Sequence, residues 1–189
     1  LLEVELKRLQ KATLFITVLY LCPHLAIGQK SKKEVQNSIQ NRAKEYENIA
    51  KSIWNFAEVG YQEEKSSGLL KKTLSDEGFN INSGVAEIPT AFVAEYGSGR
   101  PIIGILAEFD ALPGISQEVA TVRKPIVDKS AGHACGHHLF GTASTAAAIA
   151  IKGYLKETKQ QGTIRLYGTP AEEGGSAKVY MVRAGLFND

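Results

Sequence analysis

One stretch constrains the fold more than any other. From Pro101 to Tyr167 an apolar run, a helix of small residues and a second apolar run follow one another in that order. Pro101–Ala107 (PIIGILA) has the continuous hydrophobicity of a strand buried on both faces. Leu139–Leu155 (LFGTASTAAAIAIKGYL) is small and apolar all round, as suits a helix packed closely in a core. Thr163–Tyr167 (TIRLY) reads as the next strand. Strand, helix, strand with buried strands predicts an α/β fold with a mixed, mostly parallel sheet flanked by helices. A chain of 189 residues with 43% hydrophobic and 22% charged residues has material for one sizeable core.

The flanking segments fit that frame. Ser31–Ala57 carries Val35, Ile39, Tyr46, Ile49, Ile53 and Phe56 near helical spacing, and Gly60 follows its end. Glu64–Glu77 (EKSSGLLKKTLSDE) predicts a second helix closed by Gly78. Asn80–Ala86 and Ala91–Tyr96 are short β-like runs around Pro89. Gly168–Gly175 reads as a loop and Ser176–Ala184 as a last helix.

The N-terminus has a different character. Lys7, Arg8 and Lys11 precede an uncharged apolar run of 11 residues, Ala12–Cys22, and Ala26-Ile27-Gly28 places small residues before Gln29. That pattern predicts a cleaved signal peptide over residues 1–28, because so short a run cannot span a hydrocarbon core that needs ~20 residues. The competing reading is an amphipathic first helix. With the leader removed, the chain is expected to be exported to the periplasm or outside, with no stable membrane span; without it, cytoplasmic. The chain begins at Leu1, its single methionine is Met181, and it stops at Asp189 directly after a predicted helix, so a fragment is expected.

Charge and cysteine content exclude several classes. A net charge of +2 with no basic stripe gives no footprint for nucleic acid. Two cysteines cannot build a disulfide scaffold, and Cys22 lies in the leader. Beyond the leader, Cys135 and the three histidines His133, His137 and His138 fall within six positions, in Gly132-His-Ala-Cys-Gly-His-His138. Thiolate and imidazole two residues apart suit Zn²⁺ or another late divalent metal. A buried cysteine beside helix-capping histidines is the bland alternative.

A second cluster, Thr169-Pro-Ala-Glu-Glu-Gly-Gly175, directly follows a predicted strand. Adjacent carboxylates in a loop point apart, so one can bind metal while its neighbour takes a proton from a metal-acidified water. The carboxyl end of a strand is where α/β sheets place their sites. A third pair, Glu108 and Asp110, ends the run PIIGILA, where a carboxylate can orient a ligand histidine or enter the coordination sphere. A loop-opening or capping Asp explains it as simply.

Taken together, GILAEFDALPG, GHACGHHLFGTA and GTPAEEGG, in this order, resemble the peptidase M20 family of metallohydrolases. The resemblance covers roughly Ser31–Asp189. It leans toward the amidohydrolase subgroup that hydrolyses hippurate, indole-acetyl-amino acids and aminobenzoyl-glutamate. It implies a partial zinc-peptidase-like catalytic domain over residues 29–189. It also implies two divalent ions, Zn with Mn or Co as alternatives. Cys135 would bridge the ions, His137 would bind one and Glu173 the other, while Glu172 would serve as general base and then protonate the leaving amine. Asp110 takes a supporting part and His133 is not assigned as a ligand. Position 138 is His where many members have Asp, so His138 is an outer support or an extra ligand. The implied substrate is a small N-acyl or aminoacyl amide, and the implied assembly is a homodimer. The family's later metal histidines and its lid or dimerisation domain find no match before Asp189, so this chain alone is expected to be inactive.

Two readings of another kind compete. One is a non-catalytic metal-binding or interaction module from a truncated gene. The other is a thiol hydrolase in which His137 activates Cys135.

Overall fold

The computed structural model describes residues 32–126 and 128–188. The leader expected over residues 1–28 lies outside them. The chain divides into two compact units, Leu1–Ser38 and Ile39–Asp189, and the sheet, its helices and every candidate site residue lie in the second. Among the described residues, no helix is long and apolar enough to cross a membrane.

Helix α1 (Ala43–Phe56) buries Tyr46, Ile49, Ala50 and Ile53, spaced three, one and three residues apart along a single face. The single helix expected from Ser31 to Ala57 is interrupted by a turn at Arg42, whose guanidinium binds Glu45 and Glu77. The helix ends where Ala57 enters the left-handed region at φ 48° and its N–H donates to the Ile53 carbonyl. Helix α2 (Glu64–Asp76) buries Ser66, Ser67, Leu70 and Leu74. Its first turn is capped from upstream: Glu58 accepts the N–H groups of Lys65 and Ser66 at 3.0 and 2.8 Å. A carboxylate placed there satisfies orphan donors and meets the positive end of the helix dipole.

Four strands form the main sheet: β1 (Asn80–Ser83), β2 (Phe92–Ser98), β3 (Ile102–Ala107) and, after two short strands, β6 (Gly162–Gly168). Their spatial order is β1-β2-β6-β3. The two short strands, β4 (Leu112–Pro113) and β5 (Ala131–Gly132), pair separately. The sheet is mixed, as expected. The balance among these strands differs from a mostly parallel one: β1–β2 and β2–β6 are antiparallel and β6–β3 is parallel.

Helix α3 (His137–Thr158) makes the crossover from β3 to β6, and α4 (Ala177–Arg183) follows β6. Helices α1, α2 and α3 cover one face, where Ile53, Leu70, Phe92, Phe109, Ile149 and Leu166 meet. The small residues of α3 permit close approach. A Cβ on Gly141 would lie 2.6 Å from the backbone carbonyl of Glu108. The expectation that β3 is buried on both faces does not hold. It is an edge strand among the described ones, and Ile103 and Leu106 remain 46% and 39% exposed.

The parallel pairing places the site. Ala107 and Gly168, the last residues of β3 and β6, lie in register, and the Thr169 N–H continues the ladder to the Ala107 carbonyl at 2.8 Å. Both carboxylate-bearing loops therefore leave the sheet side by side.

Candidate metal centre

Three segments converge at the carboxyl end of β3 and β6: the exit of β3 (Glu108–Ala111), the loop after β6 (Thr169–Gly175) and the start of α3. Gly136, at φ 93°, supplies the left-handed turn that opens α3. The turn makes His137 the first helical residue and carries it, 5% exposed, into the gap between the loops.

His137 is gripped on both sides of its ring. Nδ1 lies 2.8 Å from Asp110 Oδ1 and 3.2 Å from the Asp110 carbonyl. Both partners are acceptors, so the bonding pattern assigns the proton to Nδ1. Nε2 faces Glu108 Oε2 at 3.0 Å and Glu172 Oε2 at 3.8 Å, so positive charge is favoured between the imidazole and these two carboxylates.

Asp110 ties the segments together. Besides binding His137, it accepts the backbone N–H of Glu173 on Oδ2 at 2.9 Å. Glu173 Oε1 lies 3.8 Å from His137 Nδ1, buried and without a hydrogen-bond partner. Possible ligand atoms of Cys135, His137 and Glu173 lie within 4.8 Å of one another, and so do those of Glu108, His137 and Glu172. The donor set (thiol, imidazole, carboxylates and one orphaned buried oxygen) fits divalent metal.

The electrostatics point the same way. Desolvation, reinforced by the charges of Glu173, Glu172 and Glu108, pushes the exposed Cys135 thiol above its ordinary range. A thiolate there needs a cation beside it. Against the thiol hydrolase, both nitrogens of His137 lie against carboxylates.

The other two histidines sit apart from these ligand groups. His133 and His138 cluster with Trp54 of α1, with ring centroids 6.4 and 4.9 Å from the indole. His133 Nε2 lies 3.1 Å from the Ile53 carbonyl, and burial, with the nearby His138, lowers its pKa to about 4. It is therefore a neutral donor at pH 7. Desolvation, then the neighbouring His137, lowers His138 as well. An apolar cavity of about 510 Å³, lined in part by Trp54, Val119 and Leu139, opens beside His138.

Two site neighbours carry no local sequence signal. Lys178 of α4 pairs with Glu108 Oε1 at 2.6 Å, so the second oxygen of Glu108 stays turned to His137. Glu63 reaches the loop after β6 from the turn before α2. Neither lies in a motif, because each acts across a distance that only the fold closes.

Comparison with known proteins finds relatives that are named as hydrolases. Residues 104–189 match Peptidase family M20/M25/M40. One of the subunits of the p-aminobenzoyl-glutamate hydrolase of Escherichia coli (strain K12) is 42% identical over 162 residues, covering 85% of this chain and 34% of the relative. The hippurate hydrolase of Campylobacter jejuni is 32% identical over 144 residues, 76% of this chain and 36% of that protein. A dinuclear metal-binding peptidase of the M20 family from Bacillus subtilis superposes with a TM-score of 0.63 at 25% identity, over 79% of this chain and 41% of the other. The chain thus spans about a third of the length of the curated relatives it matches.

Proposed function

Since the chain belongs to peptidase family M20/M25/M40, we propose that its pocket is the metal centre of an amidohydrolase acting on an N-acyl or aminobenzoyl-amino-acid amide. The observation that carries this is the convergence of Cys135, His137 and Glu173 on one point, with Asp110 orienting the imidazole. The donors suit two divalent ions, Zn²⁺ first and Mn²⁺ or Co²⁺ as the other candidates. His137 is common to the two ligand groups and, with Nδ1 held by Asp110, offers Nε2 to a single ion.

Cys135, His137 and Glu173 would hold the metal. When bound, it supplies Lewis acidity toward a carbonyl oxygen and toward water. The chain's own residues supply the rest. Asp110 keeps the Nδ1 proton and leaves the Nε2 lone pair available. Glu172, 42% exposed at its side chain and 3.8 Å from His137, is free to take the proton of an attacking water and hand it to the departing amine. The products are a carboxylic acid and an amine.

Residues 1–28 are proposed as a leader and the mature protein as exported and homodimeric. Sequencing the mature N-terminus and light scattering test those points. The function is tested by elemental analysis and by hydrolysis of an N-acyl-amino-acid panel, both on the longest reading frame that contains the chain. The expected result is about two metal ions per molecule of that longer form. Glu172→Gln should lose ~10²–10⁴-fold in kcat while metal content is unchanged. Full turnover in that variant removes Glu172 from its role, and absence of metal removes the whole reading.

A further inference from the structure

The turn between α1 and α2 carries a buried group for which the hydrolytic reading has no use. Glu63 is 0% exposed. Its Oε1 accepts the Ala171 N–H at 2.8 Å, while its Oε2 is buried with no hydrogen-bond partner. A carboxyl is costly to bury, and this one meets a specific need: Ala171 is itself fully buried, and its N–H would otherwise have no partner.

Ala171 immediately precedes Glu172 and Glu173. It stands at φ 52°, in the left-handed region that a residue with a Cβ rarely enters. Such a conformation persists where the surroundings over-determine it, and the turn before α2 does so at several points. Tyr61 donates its hydroxyl to the Gly175 carbonyl. A Cβ on Gly60 would lie 3.0 Å from the Ala171 Cβ, and one on Gly175 would lie 2.6 Å from it. The same turn also holds the other carboxylate loop. The Ala111 N–H donates to the Glu58 carbonyl at 2.8 Å, and Val59 bridges to Ala111.

We propose that Glu63 is a positioning residue: its buried carboxyl holds Ala171 in the left-handed conformation, and so aims Glu172 and Glu173 at His137. The proposal rests on the metal-centre reading for what those two carboxylates do. Burial raises the Glu63 pKa. What the Ala171 N–H needs is an acceptor oxygen, so a neutral amide of the same shape should replace the carboxyl, and an apolar side chain of similar size should not.

The test compares the chain with its Glu63→Gln and Glu63→Leu variants by thermal melting, amide hydrogen exchange at Ala171 and Co²⁺ absorption titration. Glu63→Gln is expected to keep the Ala171 protection and to bind Co²⁺ within about threefold of the parent, with the same absorption bands. Glu63→Leu is expected to exchange Ala171 at least tenfold faster with β6 still protected, and to bind Co²⁺ ~10–100-fold more weakly, as loss of a support behind a ligand does. Unchanged exchange and Co²⁺ affinity in Glu63→Leu overturn the proposal. Should that variant fail to fold, Glu63→Gln decides: parental melting with loss of Ala171 protection overturns it, and retained protection supports it. A parent chain that binds no Co²⁺ overturns the metal-centre reading instead, and Ala171 exchange then still decides whether Glu63 holds the turn.

Discussion

Asp110 does two jobs with one carboxylate. Oδ1 accepts from the His137 ring and Oδ2 from the Glu173 backbone, so the β3 exit, the α3 start and the loop after β6 are fixed through a single side chain. Asparagine has the same shape but cannot accept on both sides. Whichever way its amide turns, an NH₂ group confronts a donor, and one contact of about 1–3 kcal/mol is lost. Asp110→Asn should therefore fold and yet bind Zn²⁺ ~10–100-fold more weakly, which a chelator-competition titration reads directly. Unaltered affinity would show that His137 needs no orienting partner. The Asp110 case also shows how far local motifs can be read. A carboxylate near a ligand histidine is visible in the spacing EFDALPG, but its second bond, to Glu173 63 residues away, depends on β3 and β6 being neighbours.

At the scale of elements, three helices are pinned by one residue after α2. Glu77 binds Lys152 of α3 at 2.9 Å and Arg42, just before α1, at 2.7 Å, and its carbonyl also accepts from Lys152. Desolvation works against its ionised form, but Lys152 and Arg42 outweigh it and hold the carboxyl below its ordinary value. A depressed carboxylate contributes stability that is present above its unfolded pKa and lost as pH falls through the folded one. Stability should thus decline on acidification below the ordinary glutamate range near ~4.3. Glu77→Gln should remove that part of the decline and lower stability at pH 7 by about 1–2 kcal/mol. Urea unfolding at pH 7 and pH 3 measures both, and an equal acid response in the two proteins would contradict the assignment. Helix and strand periodicity marks α1, α2, β2, α3 and β6 to within a few residues, since each carries its own apolar face. The break at Arg42 and the edge position of β3 are not marked that way. At the first, Arg42 pairs with Glu45 nearby but also with Glu77 beyond α2, which local spacing does not reveal; the second follows from strand order, which an apolar run such as PIIGILA does not encode.

For the molecule as a whole, the site is a joint between distant stretches of chain. Glu108 and Asp110 leave β3, Cys135 and His137 open α3, and Glu172 and Glu173 follow β6, so the full set comes together only once the parallel pairing and the crossover are in place. The pocket also gathers Glu108, Asp110, Glu172 and Glu173 around one imidazole, with Lys178 the cation paired to Glu108. Mutual repulsion of these carboxylates opposes the folded state, and a divalent cation relieves it while bridging all three stretches. A ligand that binds the native state and not the unfolded chain stabilises it by about 2.7 kcal/mol at a concentration of 100 Kd. For a chain of this size that corresponds to a rise in Tm of ~5–10 °C. Calorimetry in Zn²⁺ and in EDTA should show this shift in the parent chain, and Cys135→Ser should lose most of it while melting near the metal-free parent in EDTA, because Cys135 is exposed and supports no core. Equal melting with and without metal would mean that the three segments close without a cation.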